Sequence, residues 1–153
     1  MTVTFCGHSD VAEAAAVQAW LDETIVQLCS QGAERFLLGG YGHFDGMAAA
    51  AVWRAKSSFP DISSVLVLPY MNTKVDMTLY DYSLYPSLEN VPRRYAILKR
   101  NEIMVNEADV VVAYVLHDWG GAAKTLDYAM RKRKTVICFG DTKQYCGLTE
   151  NPL

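Results

Sequence analysis

Short apolar runs alternate with longer segments in which apolar and polar residues recur at helical spacing. Runs rich in Val, Leu, Ile and Phe predict buried strands at residues 3–6, 35–38, 64–68, 109–116 and 135–139. The intervening patterns predict helices at residues 10–32, 45–56, 92–107 and 122–133. This alternation is typical of an α/β protein.

Strands that alternate with helices imply right-handed crossovers and a parallel sheet. We therefore predict a Rossmann-like three-layer fold, with a mainly parallel five-stranded sheet and helices on both faces. The 153 residues suffice for one domain with a full core, so residues 1–153 are taken as a single domain. A strand order of 3-2-1-4-5 would place a ligand crevice between the first and fourth strands.

Glycine turns follow three of the predicted strands: Gly7, Gly39-Gly40 and Gly120-Gly121. A strand, a glycine turn and a helix in succession leave unpaired amides at a helix N-terminus, where phosphate or carboxylate binds. With the order above, all three turns line one site. The alternative is that these glycines only permit tight packing.

Composition narrows the class of partner. The net charge is −3, and the main basic run, residues 131–134, lies at a helix end, so duplex nucleic acid is not an expected partner. No apolar run reaches membrane-spanning length and no signal peptide is recognised, so we expect a cytoplasmic protein without a membrane partner. The four cysteines show no CxxC spacing and are predicted to be reduced: Cys6, Cys29, Cys138 and Cys146.

Each histidine follows a predicted strand and has an aspartate nearby: His8, His43 and His117. Imidazole and carboxylate suit a metal ion. However, no HExxH-type spacing occurs, and polar residues collect in turns in any case. We predict neither a metal ion nor a cofactor.

Arg100 shares a helical stripe with Ala96, Ile97 and Met104, which should face the sheet. A buried guanidinium requires an anionic partner, which is either a ligand phosphate or a carboxylate such as Asp45 or Asp127.

Several other candidates also have ordinary structural explanations. Asp127 is spaced for an ion pair with Arg131, and Asp45 is placed for a helix N-cap. Lys124 lies close enough to the second glycine pair to reach a phosphate, or is simply exposed. The tyrosine-rich segment 70–90 is either a lid or binding loop, or an ordered surface excursion.

Taken together, five segments resemble the SLOG superfamily, most closely its YpsA-like branch. The superfamily also includes the Lonely Guy phosphoribohydrolases and the DprA family. The segments are Phe5-Cys-Gly-His8, Leu38-Gly-Gly-Tyr-Gly-His-Phe-Asp45, Arg100-Asn-Glu-Ile-Met104, Asp109 to Tyr114 and Trp119-Gly-Gly121. The resemblance implies a Rossmann-like fold that binds a nucleotide or nucleotide-derived ligand at the glycine turns.

The phosphoribohydrolase motifs, Arg-Lys-x-x-Met and Pro-Gly-Gly-x-Gly-Thr-x-x-Glu, are only partly kept. Asn101 replaces the lysine, Trp119 the proline, Ala123 the third glycine, Lys124 the threonine and Asp127 the catalytic glutamate. The shorter Asp127 carboxylate would sit further from a sugar carbon. The resemblance therefore implies a kept nucleotide site and an eroded hydrolase signature.

Three functions follow. The first is binding of a nucleotide-type small molecule, as in a sensor, through Gly7, His8, Gly39, Gly40, Asp45, Arg100, Gly120, Gly121 and Lys124. The second is cleavage of the N-glycosidic bond of a nucleoside 5′-monophosphate, with Arg100, Asp127 and Asp45 as catalytic residues. The third is an oligomeric scaffold with a vestigial pocket and segment 70–90 as interface. A homo-oligomer is expected.

Overall fold

The computed structural model describes residues 1–72 and 74–140 and contains a sheet of parallel strands in the order β4-β3-β2-β1-β5-β6. The strands are β1 (Thr2–Gly7), β2 (Arg35–Leu38), β3 (Ser63–Val67), β4 (Tyr82–Leu84), β5 (Val110–Tyr114) and β6 (Thr135–Cys138). The helices are α1 (Ala14–Ser30), α2 (Gly42–Ala55), α3 (Ala96–Glu107) and α4 (Gly121–Arg131), and a 3₁₀ turn at Arg93–Tyr95 precedes α3.

Residue alternation along the central strands builds two cores, one on each face of the sheet. Val3 and Phe5 of β1 pack in the core that contains α1 and α2. Val111 and Ala113 of β5 pack in the opposite core with α4. Helices therefore cover both faces of the sheet, and its central strands are rich in buried β-branched residues, as expected of parallel strands.

The prediction of five strands was wrong by one. Residues 82–84 form a sixth strand, which pairs in parallel with β3 at the edge of the sheet. This strand has three residues and lacks a buried face, so it carries no alternating apolar pattern. The other strands have the predicted order, and β1 and β5 are neighbours at its centre. The chain leaves these two strands toward opposite edges, so their carboxyl ends flank a crevice.

Some local predictions also need correction. Helix α2 begins at Gly42, three residues before the predicted start at Asp45, and Tyr41 is its N-cap. Asp45 is therefore not an N-cap but a residue of the first turn, whose carboxylate accepts a hydrogen bond from the Tyr41 amide at 3.1 Å.

The cysteines are only partly as predicted. Cys6 and Cys29 are free and buried, whereas Cys138 is disulfide-bonded, so the prediction that it is reduced was wrong. Cys146 lies outside the described residues. Over the described ranges, the helices are all too short or too polar to cross a bilayer.

The described residues of segment 70–90, which are 70–72 and 74–90, are held to the body of the protein, as expected of an ordered surface excursion. Leu79 and Tyr80 pack against the main core, and the Tyr70 hydroxyl donates to the Arg93 carbonyl. Asp81 fixes the new strand: its carboxylate accepts from Lys56 Nζ at 2.6 Å and from the Ser64 amide at 2.7 Å. The carboxylate thus ties β4 both to β3 and to the end of α2.

We expect Asp81→Ala to release β4 and to cost about 1 kcal/mol of stability, a value kept small because the side chain is partly exposed. Burial raises the pKa of Asp81, but the hydrogen bonds from Lys56 and the Ser64 amide lower it more, so the pKa is lowered overall. The contribution is therefore present at neutral pH and is lost as pH falls through the folded-state pKa.

Hydrogen exchange at the Leu68 amide, which donates to the Leu84 carbonyl, measures the release directly. Asp61→Ala, at an exposed position in the turn before β3, is the matched control. Equal protection of Leu68 in both variants would contradict the role of Asp81.

Candidate functional site

A cavity of about 410 Å³ opens at the carboxyl ends of β1 and β5. Its wall is formed by the ends of these strands, the turn before α2, the inner face of α3 and the start of α4. Its lining comprises Phe5, Cys6, Gly7, His8, Ser9, Asp10, Gly39, Tyr41, Asp45, Ile97, Arg100, Asn101, Met104, Leu116, His117, Trp119, Gly120, Gly121, Ala122 and Thr125.

Arg100 is the most buried charge in the cavity wall, with 1% of its surface exposed. The predicted inward orientation is thus confirmed. Its Nη1 donates to the carbonyls of Gly39 at 2.8 Å and Val67 at 2.7 Å, and its Nε donates to Asn101 Oδ1 at 2.8 Å. Nη2 makes no hydrogen bond to a described residue. Three of the five guanidinium donors are therefore used, and two remain.

The predicted alternative, a buried salt bridge from Arg100 to Asp45 or Asp127, is wrong because the charged atoms are too far apart. Among the described residues, no carboxylate oxygen lies within 4.0 Å of the Arg100 guanidinium, and Asp127 instead pairs with Arg131 at 3.0 Å. Burial lowers the pKa of Arg100, while the nearby charge of Asp45 opposes that shift. An arginine remains charged even so. Its charge is met by carbonyl dipoles rather than by an anion.

Gly39 has no side chain, and the side chains of Arg100 and Asp45 approach the space that a side chain would occupy. A side chain there would place its Cβ 3.1 Å from Arg100 Cζ and Nη2 and 3.1 Å from Asp45 Oδ2. The glycine is therefore needed for room at this point. Gly7 also lacks room for a side chain, but for another reason: its Cβ would meet the Phe44 ring at 2.2 Å, so this glycine serves core packing.

Asp45 is the titratable group beside Arg100 and Gly39 in the cavity. Burial raises the pKa of Asp45 to about 6, although the hydrogen bond from the Tyr41 amide and the charge of Arg100 both lower it. The carboxyl group therefore changes charge near neutral pH. A carboxyl group with such a raised pKa in a ligand-sized cavity is a candidate for chemistry or for pH-dependent binding.

The two glycine turns differ in the amides that they offer. At the start of α2, the His43 amide donates to the Ser9 carbonyl at 2.8 Å and the Tyr41 amide donates to Asp45. At the start of α4, the N-cap Gly120 has φ of +90°, a conformation that favours glycine, and the amides of Gly121 and Ala122 make no hydrogen bond to a described residue. The amides of Gly42 and Phe44 at the start of α2 also make no hydrogen bond to a described residue, but these residues do not line the cavity, whereas Gly121 and Ala122 do. The second turn is therefore the better placed of the two to bind an anion in this cavity.

Asn101 links Arg100 to this helix start. Its Oδ1 accepts from Arg100, its Nδ2 lies 3.4 Å from Thr125 Oγ1, and Thr125 Oγ1 in turn donates to the Gly121 carbonyl at 2.9 Å. The residue that departs from the family lysine thus orients the guanidinium relative to α4. Neither Asn101 nor Thr125 was predicted as a site residue.

A stack of three rings borders the cavity. His8 and His117 lie 3.9 Å apart between ring centroids, and His117 and Trp119 lie 3.8 Å apart, with interplanar angles of 16° and 15°. His8 was predicted as a site residue, whereas Trp119 was considered only as the residue in place of the motif's proline. Ring stacking cannot be deduced from spacing, although an aromatic residue directly before the glycine pair was a visible signal.

A hydrogen bond fixes His8, the ring at one end of the stack. His8 Nε2 accepts a hydrogen bond from the Leu116 amide at 2.7 Å, so that nitrogen carries no proton. Burial, and then the neighbouring His117, lower the pKa of His8, which favours the same neutral form. Nδ1 of His117 is buried and has no hydrogen-bond partner among the described residues, which costs about 1–3 kcal/mol. The ring is therefore kept in place by stacking.

Several of the predicted site residues lie elsewhere. Gly40 lines a neighbouring cavity of about 370 Å³ that also includes Lys74 and Tyr80. Lys124 and Asp127 line a third cavity, of about 270 Å³, on the other side of α4. The cavity at β1 and β5 therefore contains Gly7, His8, Gly39, Asp45, Arg100, Gly120 and Gly121 of the predicted set. Within residues 1–72 and 74–140, no three His, Cys, Asp or Glu residues are grouped as metal ligands.

No family model matches the chain, and no curated protein matches its sequence. Solved structures do match. DNA processing protein A from Helicobacter pylori, described by its single-stranded DNA binding mode, is 14% identical with a TM-score of 0.64, over 90% of this chain and 64% of that one. The molybdenum cofactor carrier protein from Chlamydomonas reinhardtii is 18% identical with a TM-score of 0.62, over 90% and 75%.

A third similar structure, the structural-genomics target TM1055, is 18% identical with a TM-score of 0.63 and covers 88% of this chain and 71% of that one. At these identities the likeness concerns the fold alone. The three neighbours have SLOG-type folds, and this chain has that fold, as the sequence predicted. The chain spans just under two thirds of the length of the Helicobacter pylori protein.

The raised pKa of Asp45 predicts how stability depends on pH. The carboxyl group ionises near pH 3.8 when exposed and near pH 6 in the folded protein, so ionisation opposes folding. We expect Asp45→Asn and the wild type to have the same free energy of unfolding below about pH 4. Between about pH 4 and 6 the wild type should become progressively less stable than the variant. Above that range the variant should remain more stable by about 1–3 kcal/mol.

Urea unfolding between pH 4 and 8 measures this difference. Asp10→Asn is the control, because Asp10 is an exposed carboxylate at the rim of the same cavity. A difference between Asp45→Asn and wild type that does not change with pH would contradict the raised pKa.

Proposed function

We propose that the chain binds a nucleotide or nucleotide-derived ligand in the cavity at β1 and β5, with the phosphate between Arg100 and the start of α4. The observation that carries this proposal is the buried guanidinium without a carboxylate within 4.0 Å and with Nη2 unbonded to any described residue. Arginine's planar fork suits phosphate, and a buried charge lacking an anion favours binding of one.

Two further features support a phosphate at this place. The amides of Gly121 and Ala122 lie at a helix N-terminus, where the helix dipole favours negative charge. Asn101 and Thr125 connect this terminus to Arg100, so both donor groups keep a defined relation to each other. The cavity volume of about 410 Å³ lies within the range of small-molecule sites.

The solved neighbours agree with a binding role. One is described by its binding of single-stranded DNA and another by carriage of the molybdenum cofactor. These descriptions belong to those proteins. For this chain they favour a ligand site over a purely structural role, without naming the ligand.

Isothermal titration of the purified chain with AMP, CMP and ADP-ribose tests the proposal. We expect binding of at least one ligand, with an affinity reduced at least tenfold in Arg100→Lys, because the ammonium cannot reproduce the planar fork. The variant Lys99→Ala, at an exposed position on the same helix, controls for general loss of charge. No binding of any of the three at millimolar concentration would overturn the proposal.

A second pair of variants avoids removal of the buried charge. Gly39→Ala places a methyl group between Arg100 and Asp45, whereas Gly46→Ala adds one where no atom lies within 4 Å. We expect the first variant to weaken ligand binding and the second to leave it unchanged. Urea unfolding of both variants separates a blocked site from a misfolded one.

A second function, hydrolysis of the N-glycosidic bond of a nucleoside 5′-monophosphate, is favoured by one observation. Asp45, with a pKa of about 6, lies in the cavity beside Arg100. Its carboxylate would accept a proton from water as the water oxygen bonds to C1′ of the ribose. The C1′–N bond breaks, and the base leaves with the electron pair and takes up the proton that Asp45 accepted from the water. Asp127 has no part in this scheme.

Release of free base from AMP, followed by chromatography, tests this second function. We expect any activity to fall at least a hundredfold in Asp45→Asn and to be unaffected in Asp127→Ala, because Asp127 lines a different cavity. An activity that depends on Asp127 instead would contradict the assignment. A chain that binds AMP without releasing adenine is a binding protein only.

A further inference from the structure

The ring stack has one closed end and one open end. His8 is fixed at the closed end by its hydrogen bond from the Leu116 amide and by its edge contact with Tyr114, 5.9 Å between centroids. Trp119 is at the other end, and 69% of its surface is exposed although one ring face is covered by His117. Within residues 1–72 and 74–140, no other aromatic ring stacks on the opposite face of the indole, so this face is open to another flat ring.

The position of Trp119 relates that free face to the proposed phosphate site. Trp119 immediately precedes the N-cap Gly120, and the unbonded amides begin at Gly121. Residues two apart in a chain have Cα atoms at most about 7 Å apart. One mononucleotide can span that separation, with its phosphate at the amides and its base at the indole.

The geometry of the stack also distinguishes Trp119 from other exposed aromatic residues. Trp53 is 49% exposed on α2, does not line the cavity and stacks on no aromatic ring of the described residues. Trp119 lines the cavity and has its plane set by two rings behind it, at spacings of 3.8 and 3.9 Å. A ring whose plane is already fixed loses little freedom when a base stacks on it.

We propose that the free face of Trp119 is the platform for the nucleobase of the ligand, so that the site selects base-bearing nucleotides over phosphorylated sugars. This inference rests on the proposed function. Stacking on an aromatic face tolerates different bases, because every base has a π-face. Trp119 is therefore a residue that selects for the presence of a base rather than for its identity.

Titrations with AMP and with ribose 5-phosphate, which lacks the base, test the inference. We expect the wild type to bind AMP about 10- to 100-fold more tightly than ribose 5-phosphate. Trp119→Ala should lose that preference, with unchanged affinity for ribose 5-phosphate, and Trp119→Phe should keep most of it. Trp53→Ala is the control for removal of an exposed tryptophan and should behave as the wild type.

The outcomes separate the two proposals. If the wild type binds none of AMP, CMP, ADP-ribose and ribose 5-phosphate, the proposed function fails and this inference fails with it. If it binds both equally, or if Trp119→Ala keeps the preference for AMP, only the stacking role is overturned. A Trp119→Ala chain that binds both compounds as the wild type does, but changes oligomeric state by light scattering, would assign the exposed indole to a protein contact instead.

Discussion

The burial of the Arg100 charge is the constraint around which the cavity is built. A guanidinium removed from water must be met by other groups. Here it is met by carbonyls at the carboxyl ends of two neighbouring strands, from Gly39 after β2 and from Val67 at the end of β3. Such carbonyls have no further strand residue to pair with, so the arginine and the strand ends satisfy each other. The arrangement holds the cation without neutralising it.

Asp45 lies close to Arg100 but does not neutralise its charge. Both charged groups crowd the position where Gly39 lacks a side chain, yet they do not form an ion pair. Burial outweighs the attraction of Arg100, because the carboxyl pKa is raised rather than lowered. The local charge of the cavity therefore depends on pH near neutrality. This pH dependence of the charge arises from Asp45 and its surroundings and does not require a bound ligand.

Sequence patterns were sufficient for those features that depend on periodicity. The parallel sheet follows from short apolar runs that alternate with helical patterns, and the inward orientation of Arg100 follows from apolar residues at steps of three and four. The pattern failed at β4, because a short exposed edge strand is defined by pairing, and its anchor Asp81 lies outside any periodic segment. It also failed to decide between the two roles of Asp127. This residue has the four-residue spacing to Arg131 that an ion pair requires, and it also stands at the position of the motif's catalytic glutamate.

The site departs from the family motif in a consistent direction. Asn101, in place of the motif's lysine, bonds to Arg100 and approaches Thr125, which adds order without adding charge. Asp127, in place of the motif's glutamate, points to an exposed ion pair outside the cavity. Trp119, in place of the motif's proline, ends a ring stack at the cavity wall. The carboxylate at the position of the motif's glutamate lies outside the cavity, whereas an aromatic ring lies at the cavity wall, and for this reason we propose binding ahead of hydrolysis.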